Sequence, residues 1–178
     1  MRCVGFYLAL LAITSSGSEI CPENTEQTDE LRKKFLDLHN DFRSKLAKGL
    51  VKNKLLYNET ALQASAMRKL GSDLNQQFAA ERAVTKWWEE FTRHGNHWDN
   101  VYTTELHENG SLEHYAQIAW SRTTHIGCAV QDCSSSSMVV CRYKPTGKRL
   151  NDVIYEVGDT CSACPRGTIC EQQTGLCV

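Results

Sequence analysis

Apolar side chains recur every three or four residues between Thr28 and Lys48, a spacing that places them on one face of a helix. Thr28 is suited to cap the start of this helix, and Gly49 is suited to end it. The sequence therefore predicts a first helix over residues 28–48. Its apolar positions are Leu31, Phe35, Leu38, Phe42 and Leu46.

Two more helices are predicted from the same spacing. The second begins near Asn58, and Gly71 falls within its last turns, where glycine weakens a helix. The third carries two adjacent tryptophans, which we expect to pack in the core because aromatic side chains bury large areas. The apolar positions are Leu62, Ala66, Leu70 and Leu74 in the second helix and Val84, Trp87, Trp88 and Phe91 in the third.

The second half of the chain is predicted to contain strands. Residues Thr92 to Glu113 are mostly polar, and we expect a long surface loop there. Two runs rich in β-branched residues, Ile126 to Val130 and Met138 to Tyr143, predict a hairpin. Val153 to Tyr155 predicts a third short strand.

The first residues place the chain in the secretory pathway. Residues 1–18 combine Arg2, an apolar run from Val4 to Ile13 and several small residues, which is typical of a cleaved signal peptide. The apolar run is about half of the ~20 residues that cross a bilayer, so no membrane anchor is predicted. We therefore expect a secreted, soluble protein with one domain over 21–158 and a disulfide-tied, cysteine-rich tail over 159–178.

Eight cysteines remain once Cys3 leaves with the signal peptide, and an even set in an oxidising compartment predicts four disulfides. Their spacing leaves the pairing open. The last four could also form a zinc knuckle, but secretion favours disulfides. Two sequons predict glycans at Asn58 and Asn109, in exposed loops. The eight cysteines are Cys21, Cys128, Cys133, Cys141, Cys161, Cys164, Cys170 and Cys177.

The charge of the chain narrows the class of partner. The formal charge is -1, and it becomes -2 once Arg2 is removed with the signal peptide, which holds no other charged residue. No stretch forms a basic stripe along the sequence. Nucleic acid is therefore not an expected partner.

Six segments of the sequence carry recognisable motifs. They are His39-Asn40-Asp41-Phe42-Arg43, Ala83 to Glu90, His114 to Trp120, Ile126-Gly127-Cys128, Val139 to Gly147 and Ile154 to Gly158. In this order they resemble the CAP superfamily, which comprises cysteine-rich secretory proteins, antigen 5 and pathogenesis-related 1 proteins. Cys21-Pro22 and the cysteines of the tail are most similar to the activation-associated secreted, or venom allergen-like, proteins of parasitic nematodes.

The resemblance implies an α+β fold, a three-layer α-β-α sandwich with a small antiparallel sheet, and a helix that begins at His114. It also implies a central cleft in which two histidines and two glutamates bind a divalent metal in some members. Only His114 and Glu90 match that set, because the segment between Leu62 and Ala83 is shorter than in the family and lacks the other two. The shortening is either a divergence of this chain or a deletion in its transcript.

Two ligands fall short of the three or four that zinc takes in proteins, so we expect no cofactor beyond weak zinc binding at this partial site. A structural hydrogen bond between His114 and Glu90 is the alternative that we favour. Three loop histidines have a spacing that could bind zinc, although such histidines are more often solvated. They are His94, His97 and His107. In the first helix, a packing and hydrogen-bonding cluster is predicted for His39, Asn40 and Arg43.

The residues favour binding over catalysis. Every cysteine after the signal peptide is expected in a disulfide, and no serine lies in a Gly-x-Ser-x-Gly turn, so no nucleophile is predicted beside a base. We therefore expect a non-enzymatic secreted protein that binds a host protein or receptor, with immune modulation as the role that the resemblance implies. A sterol or lipid carrier is the second alternative, and a metal-dependent hydrolase is the third.

Overall fold

The computed structural model describes residues 29–56, 60–70, 77–97, 99–133 and 136–178. Within the strands and helices, the side chains of residues 32, 56, 77–79, 131–133 and 136–137 are also outside the description. The predicted signal peptide, Cys21 and the sequon at Asn58 lie outside the described residues. No helix within the described ranges is long and apolar enough to cross a membrane.

Two long helices, α1 (Asp29–Ala47) and α2 (Gln77–His94), pack against each other and form the centre of the core. The apolar stripe of α1 faces α2. The ring of Phe42 on α1 stacks on the ring of Trp88 on α2, with a distance of 4.7 Å between the ring centroids. Gly49 closes α1 with φ of +66°, a backbone conformation that favours glycine. The predicted first and third helices are therefore confirmed.

Two short helices, α3 (Thr104–Asn109) and α4 (Glu113–Ala119), follow α2. Thr103 caps α3 by accepting a hydrogen bond from the backbone N–H of Leu106. Five of the seven residues of α4 are buried, so this helix packs tightly against α1 and α2. The helix that the family resemblance implied at His114 is confirmed.

A hairpin of two nine-residue strands, β2 (His125–Cys133) and β3 (Ser136–Lys144), lies beside the helices. Its antiparallel register runs from the pair His125 and Lys144 to the pair Cys133 and Ser136. One face packs on the core through Ile126 and Val130, whereas Met138 and Val140 on the other face are 57% and 51% exposed. The predicted hairpin is confirmed.

Two smaller antiparallel pairs complete the strands. β1 (Val101–Tyr102) pairs with β4 (Asp152–Val153), and β5 (Cys170–Glu171) pairs with β6 (Leu176–Cys177). The strand predicted at 153–155 shares only Val153 with β4, which begins one residue earlier and ends two residues earlier, and β4 does not join the hairpin. It pairs instead with a strand that the sequence did not predict.

The surface loop predicted for residues 92–113 is wrong for much of its length, since β1 and α3 lie within it. Tyr102 is fully buried and packs edge-on against Trp120 at a centroid distance of 6.4 Å. The apolar residues of this run, among them Val101, Tyr102 and Leu106, are unevenly spaced and show no helix or strand periodicity, so the pattern gave no sign of this burial.

The second helix, predicted from near Asn58 with Leu62, Ala66, Leu70 and Leu74, is wrong over its described part. Residues 60–70 are extended with turns, and Leu62 is exposed. The backbone of this segment is bonded to distant residues: Ser65 N–H donates to Glu156 O and Lys69 N–H donates to Cys177 O. These tertiary pairs replace the internal hydrogen bonds of a helix.

The tail is attached to the domain by backbone hydrogen bonds, whereas its two described disulfides, Cys161–Cys170 and Cys164–Cys177, lie within the tail. Cys177 N–H donates to the carbonyl of Met67, and Ala163 N–H donates to the carbonyl of Ser65. Leu176 and Cys177 are fully buried in the common core. The predicted α+β class, with small antiparallel sheets and a disulfide-rich C-terminal region, is confirmed.

Candidate functional site

Glu90 links α2 to the start of α4. Helix α4 begins without a side-chain cap of its own, so its first N–H groups need an external acceptor. Glu90 Oε2 accepts the backbone N–H groups of His114 and Tyr115, each at 2.9 Å. The carboxylate therefore caps a neighbouring helix, and only 17% of its side chain is exposed.

His114 completes this arrangement. Its Nδ1 lies 2.6 Å from Glu90 Oε1, and because a carboxylate only accepts, Nδ1–H is the donor. The imidazole stacks on the indole of Trp87 with a centroid distance of 4.9 Å and an interplanar angle of 1°. Trp87 and Glu90 lie one turn apart on α2, so one helix face positions both partners of His114.

This geometry does not fit a zinc site made by His114 and Glu90. Both oxygens of Glu90 are engaged, Oε1 by the imidazole and Oε2 by two backbone N–H groups. His114 has only Nε2 left to offer as a ligand. Among the described residues, one group of three potential ligands lies within 4.8 Å of one another, and its members, Cys161, Cys164 and Cys177, are in disulfides.

A second polar network is centred on Glu113, the first residue of α4. Its carboxylate accepts hydrogen bonds from Tyr102 Oη at 2.7 Å, from His107 Nδ1 at 3.1 Å and from the ammonium of Lys148. Burial raises the pKa of Glu113, but the hydrogen bonds from Lys148 and Tyr102 outweigh it and lower the pKa to about 2. Glu113 is therefore ionised at neutral pH and locked in place.

Trp87, Glu113, His114 and Lys148 line a groove of about 500 Å³ beside strand β3, which we name the Trp87–His114 groove. The stacked pair of Trp87 and His114 lines it together with five consecutive residues of β3. Trp87 is only half-buried and lines this groove, whereas its neighbour Trp88 is buried in the core as predicted. The lining residues are Trp87, Glu113, His114, Gln117, Val139, Val140, Cys141, Arg142, Tyr143, Thr146 and Lys148.

His39, Asn40 and Arg43 form the predicted cluster inside the core. His39 Nδ1–H donates to Phe35 O at 2.8 Å. Burial lowers the pKa of His39 to about 4, so Nε2 is unprotonated at neutral pH and accepts the hydroxyl of Tyr143 at 2.8 Å. Asn40 exchanges two hydrogen bonds with the backbone of Leu70.

Arg43 is fully buried and uses its five N–H donors on five backbone carbonyls, at distances of 2.8–3.2 Å. Burial lowers the pKa of Arg43 to about 9, so its guanidinium stays protonated at neutral pH. The cluster therefore ties α1 to residues 68–70 and to the end of α4. Its role is structural.

The other predicted site residues fall into separate places. His94 and His97 are exposed, and His107 belongs to the Glu113 network. Asn109 is exposed at the end of α3, so its sequon is accessible. The described disulfides are Cys128–Cys141, Cys161–Cys170 and Cys164–Cys177, while the side chain of Cys133 lies outside the description.

Sequence reasoning missed the Glu113 network and the role of β3 as a groove wall. Tyr102, Glu113 and Lys148 are separated by 11 and 35 positions, and none belongs to a periodic pattern. The N-terminal place of Glu113 in a helix was the only available signal. The contacts depend on how β1, α4 and the segment after β3 meet in space.

Comparison with known proteins identifies the family to which this fold is similar. The profile of the Cysteine-rich secretory protein family, CAP, matches residues 56–143. Ancylostoma secreted protein of Ancylostoma caninum is 33% identical over 88% of this chain and 46% of its own length. Hookworm platelet inhibitor 1 of the same organism is 28% identical over 89% of this chain and 88% of its own length.

Solved structures agree with this assignment. The structure of Na-ASP-1 superposes with a TM-score of 0.80 at 30% identity, covering 94% of this chain and 51% of its own. NaASP2, solved with Zn²⁺, superposes with a TM-score of 0.77 at 28% identity, covering 89% of this chain and all of its own. This chain spans about half the length of Ancylostoma secreted protein and Na-ASP-1. It belongs to the CAP family of cysteine-rich secretory proteins, with relatives among the nematode secreted proteins.

Proposed function

We propose that this chain acts outside the cell by binding a host protein or receptor through the Trp87–His114 groove, without catalysing a reaction. The engagement of Glu90 is the observation that carries this proposal. Both carboxylate oxygens are committed to α4, so Glu90 is not available as a base that activates water beside His114. The same contacts hold His114 and Trp87 rigid, which favours recognition.

The extracellular setting is supported by composition and by the relatives. Three disulfides among the described residues fit an oxidising compartment. Relatives are named as secreted proteins, and one is named as a platelet inhibitor, a name that implies action on host cells. A host cell-surface protein is the class of partner that fits these observations.

A sterol or lipid carrier receives less support from the groove. Pockets for apolar ligands are lined mainly by hydrophobic side chains with few polar groups. Here Glu113, Arg142 and Lys148 all lie in the lining. Such charges are costly to desolvate against a sterol but can pair with polar groups of a protein.

The proposal is tested with the mature protein produced in a eukaryotic secretory host, so that the disulfides and glycans can form. The protein is fluorescently labelled, and saturable binding to mammalian leukocytes and platelets is measured by flow cytometry. We expect Trp87→Ala to weaken this binding by about tenfold or more, because a half-buried aromatic side chain is a typical hot spot. Leu50→Ala, a change at a leucine that is 65% exposed outside the groove, is the matched control.

Thermal melting of each variant separates a loss of binding from a loss of fold. Absence of saturable binding to either cell type, or equal weakening in Leu50→Ala, contradicts the proposal. Hydrolysis of an ester or phosphodiester that requires zinc and is lost in Glu90→Ala also contradicts it, since the pair would then have a catalytic role.

A further inference from the structure

The outer edge of β3 carries unused backbone hydrogen-bonding groups. Cys128 and Cys141 form a cross-strand disulfide with their Cα atoms 4.0 Å apart. In antiparallel sheets the closer Cα pairs are the ones that do not exchange backbone hydrogen bonds. The N–H and C=O of Cys141 therefore point away from β2, and by the alternation of the strand so do those of Val139 and Tyr143.

These six backbone groups have no partner among the described residues, whose turn, loop and side-chain hydrogen bonds involve none of them. Val139, Cys141 and Tyr143 all line the Trp87–His114 groove. An unpaired strand edge is a template for another extended segment, because each free N–H and C=O can be matched by a neighbouring strand. The groove thus presents a row of donors and acceptors rather than a plain apolar surface.

The groove runs along five consecutive residues of β3, and aromatic side chains of the helices also line it. A neighbouring strand lies about 4.8 Å from its partner, and a span of five residues covers about 13 Å. The residues from Val139 to Tyr143 supply that span, and the volume is about 500 Å³. The stacked rings of Trp87 and His114 also line the groove and offer an aromatic surface to the side chains of an added strand.

The charged residues of the groove lining indicate which kind of extended segment it would bind. The lining contains one acid, Glu113, and two permanent cations, Arg142 and Lys148. Lys148 is already paired with Glu113, whereas Arg142 is exposed and has no ion pair among the described residues. The unmatched charge of the groove is positive and lies on β3 itself.

We propose that the Trp87–His114 groove binds an extended acidic peptide segment of a partner protein, which adds as a strand to the outer edge of β3. Backbone hydrogen bonds form with Val139, Cys141 and Tyr143. An acidic side chain pairs with Arg142, and side chains of the opposite face pack on Trp87 and His114. This inference rests on the proposed binding function and names the chemistry of the partner.

The test uses a synthetic eight-residue peptide of alternating valine and glutamate with blocked ends. Two further versions carry N-methyl groups on alternate amides, each version blocking one edge of the peptide. Strand addition predicts that one N-methylated version loses at least about tenfold in affinity while the other binds like the parent, because only one edge faces β3. Affinities are measured by NMR titration of the folded, disulfide-bonded protein.

Amide hydrogen exchange gives a readout that side-chain contacts alone would not move. At saturating peptide we expect the amides of Val139, Cys141 and Tyr143 to exchange at least about tenfold more slowly. The amides of Val140 and Arg142 already point toward β2 and should change little. Arg142→Glu should weaken binding of the glutamate peptide and favour a lysine counterpart, and Lys144→Glu, on the same strand face outside the groove lining, is the matched control.

Three results overturn the inference: no saturable titration at millimolar peptide, equal binding of both N-methylated versions, or unchanged exchange at Val139, Cys141 and Tyr143. If Trp87→Ala still loses cell binding in those cases, the groove binds its partner in another way and the proposed function stands. If cell binding is also absent, both proposals fail together.

Discussion

Arg43 is the side chain whose removal should damage this fold most, because one buried guanidinium satisfies five carbonyls from two separate parts of the chain, residue 68 and residues 118–123. Replacement by methionine keeps a long apolar stem and removes all five donors. The carbonyls that would lose a hydrogen bond belong to Arg68, Ile118, Trp120, Ser121 and Thr123.

The size of the stability loss depends on which hydrogen bonds those carbonyls keep once Arg43 is replaced. Trp120 O still accepts the N–H of Thr123, and Ser121 O still accepts the N–H of Arg68. The carbonyls of Arg68, Ile118 and Thr123 keep no other partner among the described residues. At about 1–2 kcal/mol for each unpaired buried carbonyl, Arg43→Met should cost about 4 kcal/mol. That is a large part of the 5–15 kcal/mol that typically stabilises a domain.

Urea unfolding followed by tryptophan fluorescence and by circular dichroism measures this free energy. Arg43→Lys keeps the charge but has three donors in place of five, and we expect a loss of about 2–3 kcal/mol. Arg93→Met, at an exposed arginine paired with Glu89, is the control and should cost less than about 1 kcal/mol. A loss below about 1 kcal/mol in Arg43→Met would refute the reasoning, since it would mean that the five hydrogen bonds add nothing net.

Three further predictions concern pH, packing and covalent structure. The pKa of His39 is about 4 in the folded protein and about 6.5 in the unfolded chain, so the unfolded chain is protonated first as the pH falls. The neutral, buried imidazole therefore contributes its full stabilisation above pH 6.5, and about 3 kcal/mol of it should be lost by pH 4. Urea titrations at a series of pH values should show this loss in the parent protein and not in His39→Gln. Gly147→Ala should lower stability by about 1–3 kcal/mol in thermal melts, because the new Cβ would lie 2.6 Å from the Trp120 ring, and an unchanged melt would show that the ring can move. Peptide mapping of the non-reduced protein should recover the three described disulfides. It should also recover a fourth between Cys21 and Cys133, the pair that remains if all eight cysteines are bonded. A free thiol at either cysteine would contradict the prediction of four disulfides.

The periodicity of apolar residues was enough to predict the helices that bury a continuous apolar stripe. Helices α1 and α2 pack against each other through their apolar stripes, so spacing alone located both helices. The hairpin was predictable for a similar reason, because its strands are adjacent in sequence and pair with each other. The cluster of His39, Asn40 and Arg43 was also predicted, since polar groups on a buried helix face must find hydrogen bonds.

Tertiary structure alone decided the rest. Residues 60–70 are extended because their backbone groups form hydrogen bonds with Glu156 and Cys177, about 90–110 positions away in the sequence. No local sequence pattern encodes such distant partners. The groove arises in the same way: α2 supplies Trp87, the start of α4 supplies His114, and β3 supplies the facing edge. Sequence named His114 and Glu90 as a pair, but only the fold showed that α4 uses both oxygens of Glu90, because hydrogen-bond saturation is a property of atoms in contact.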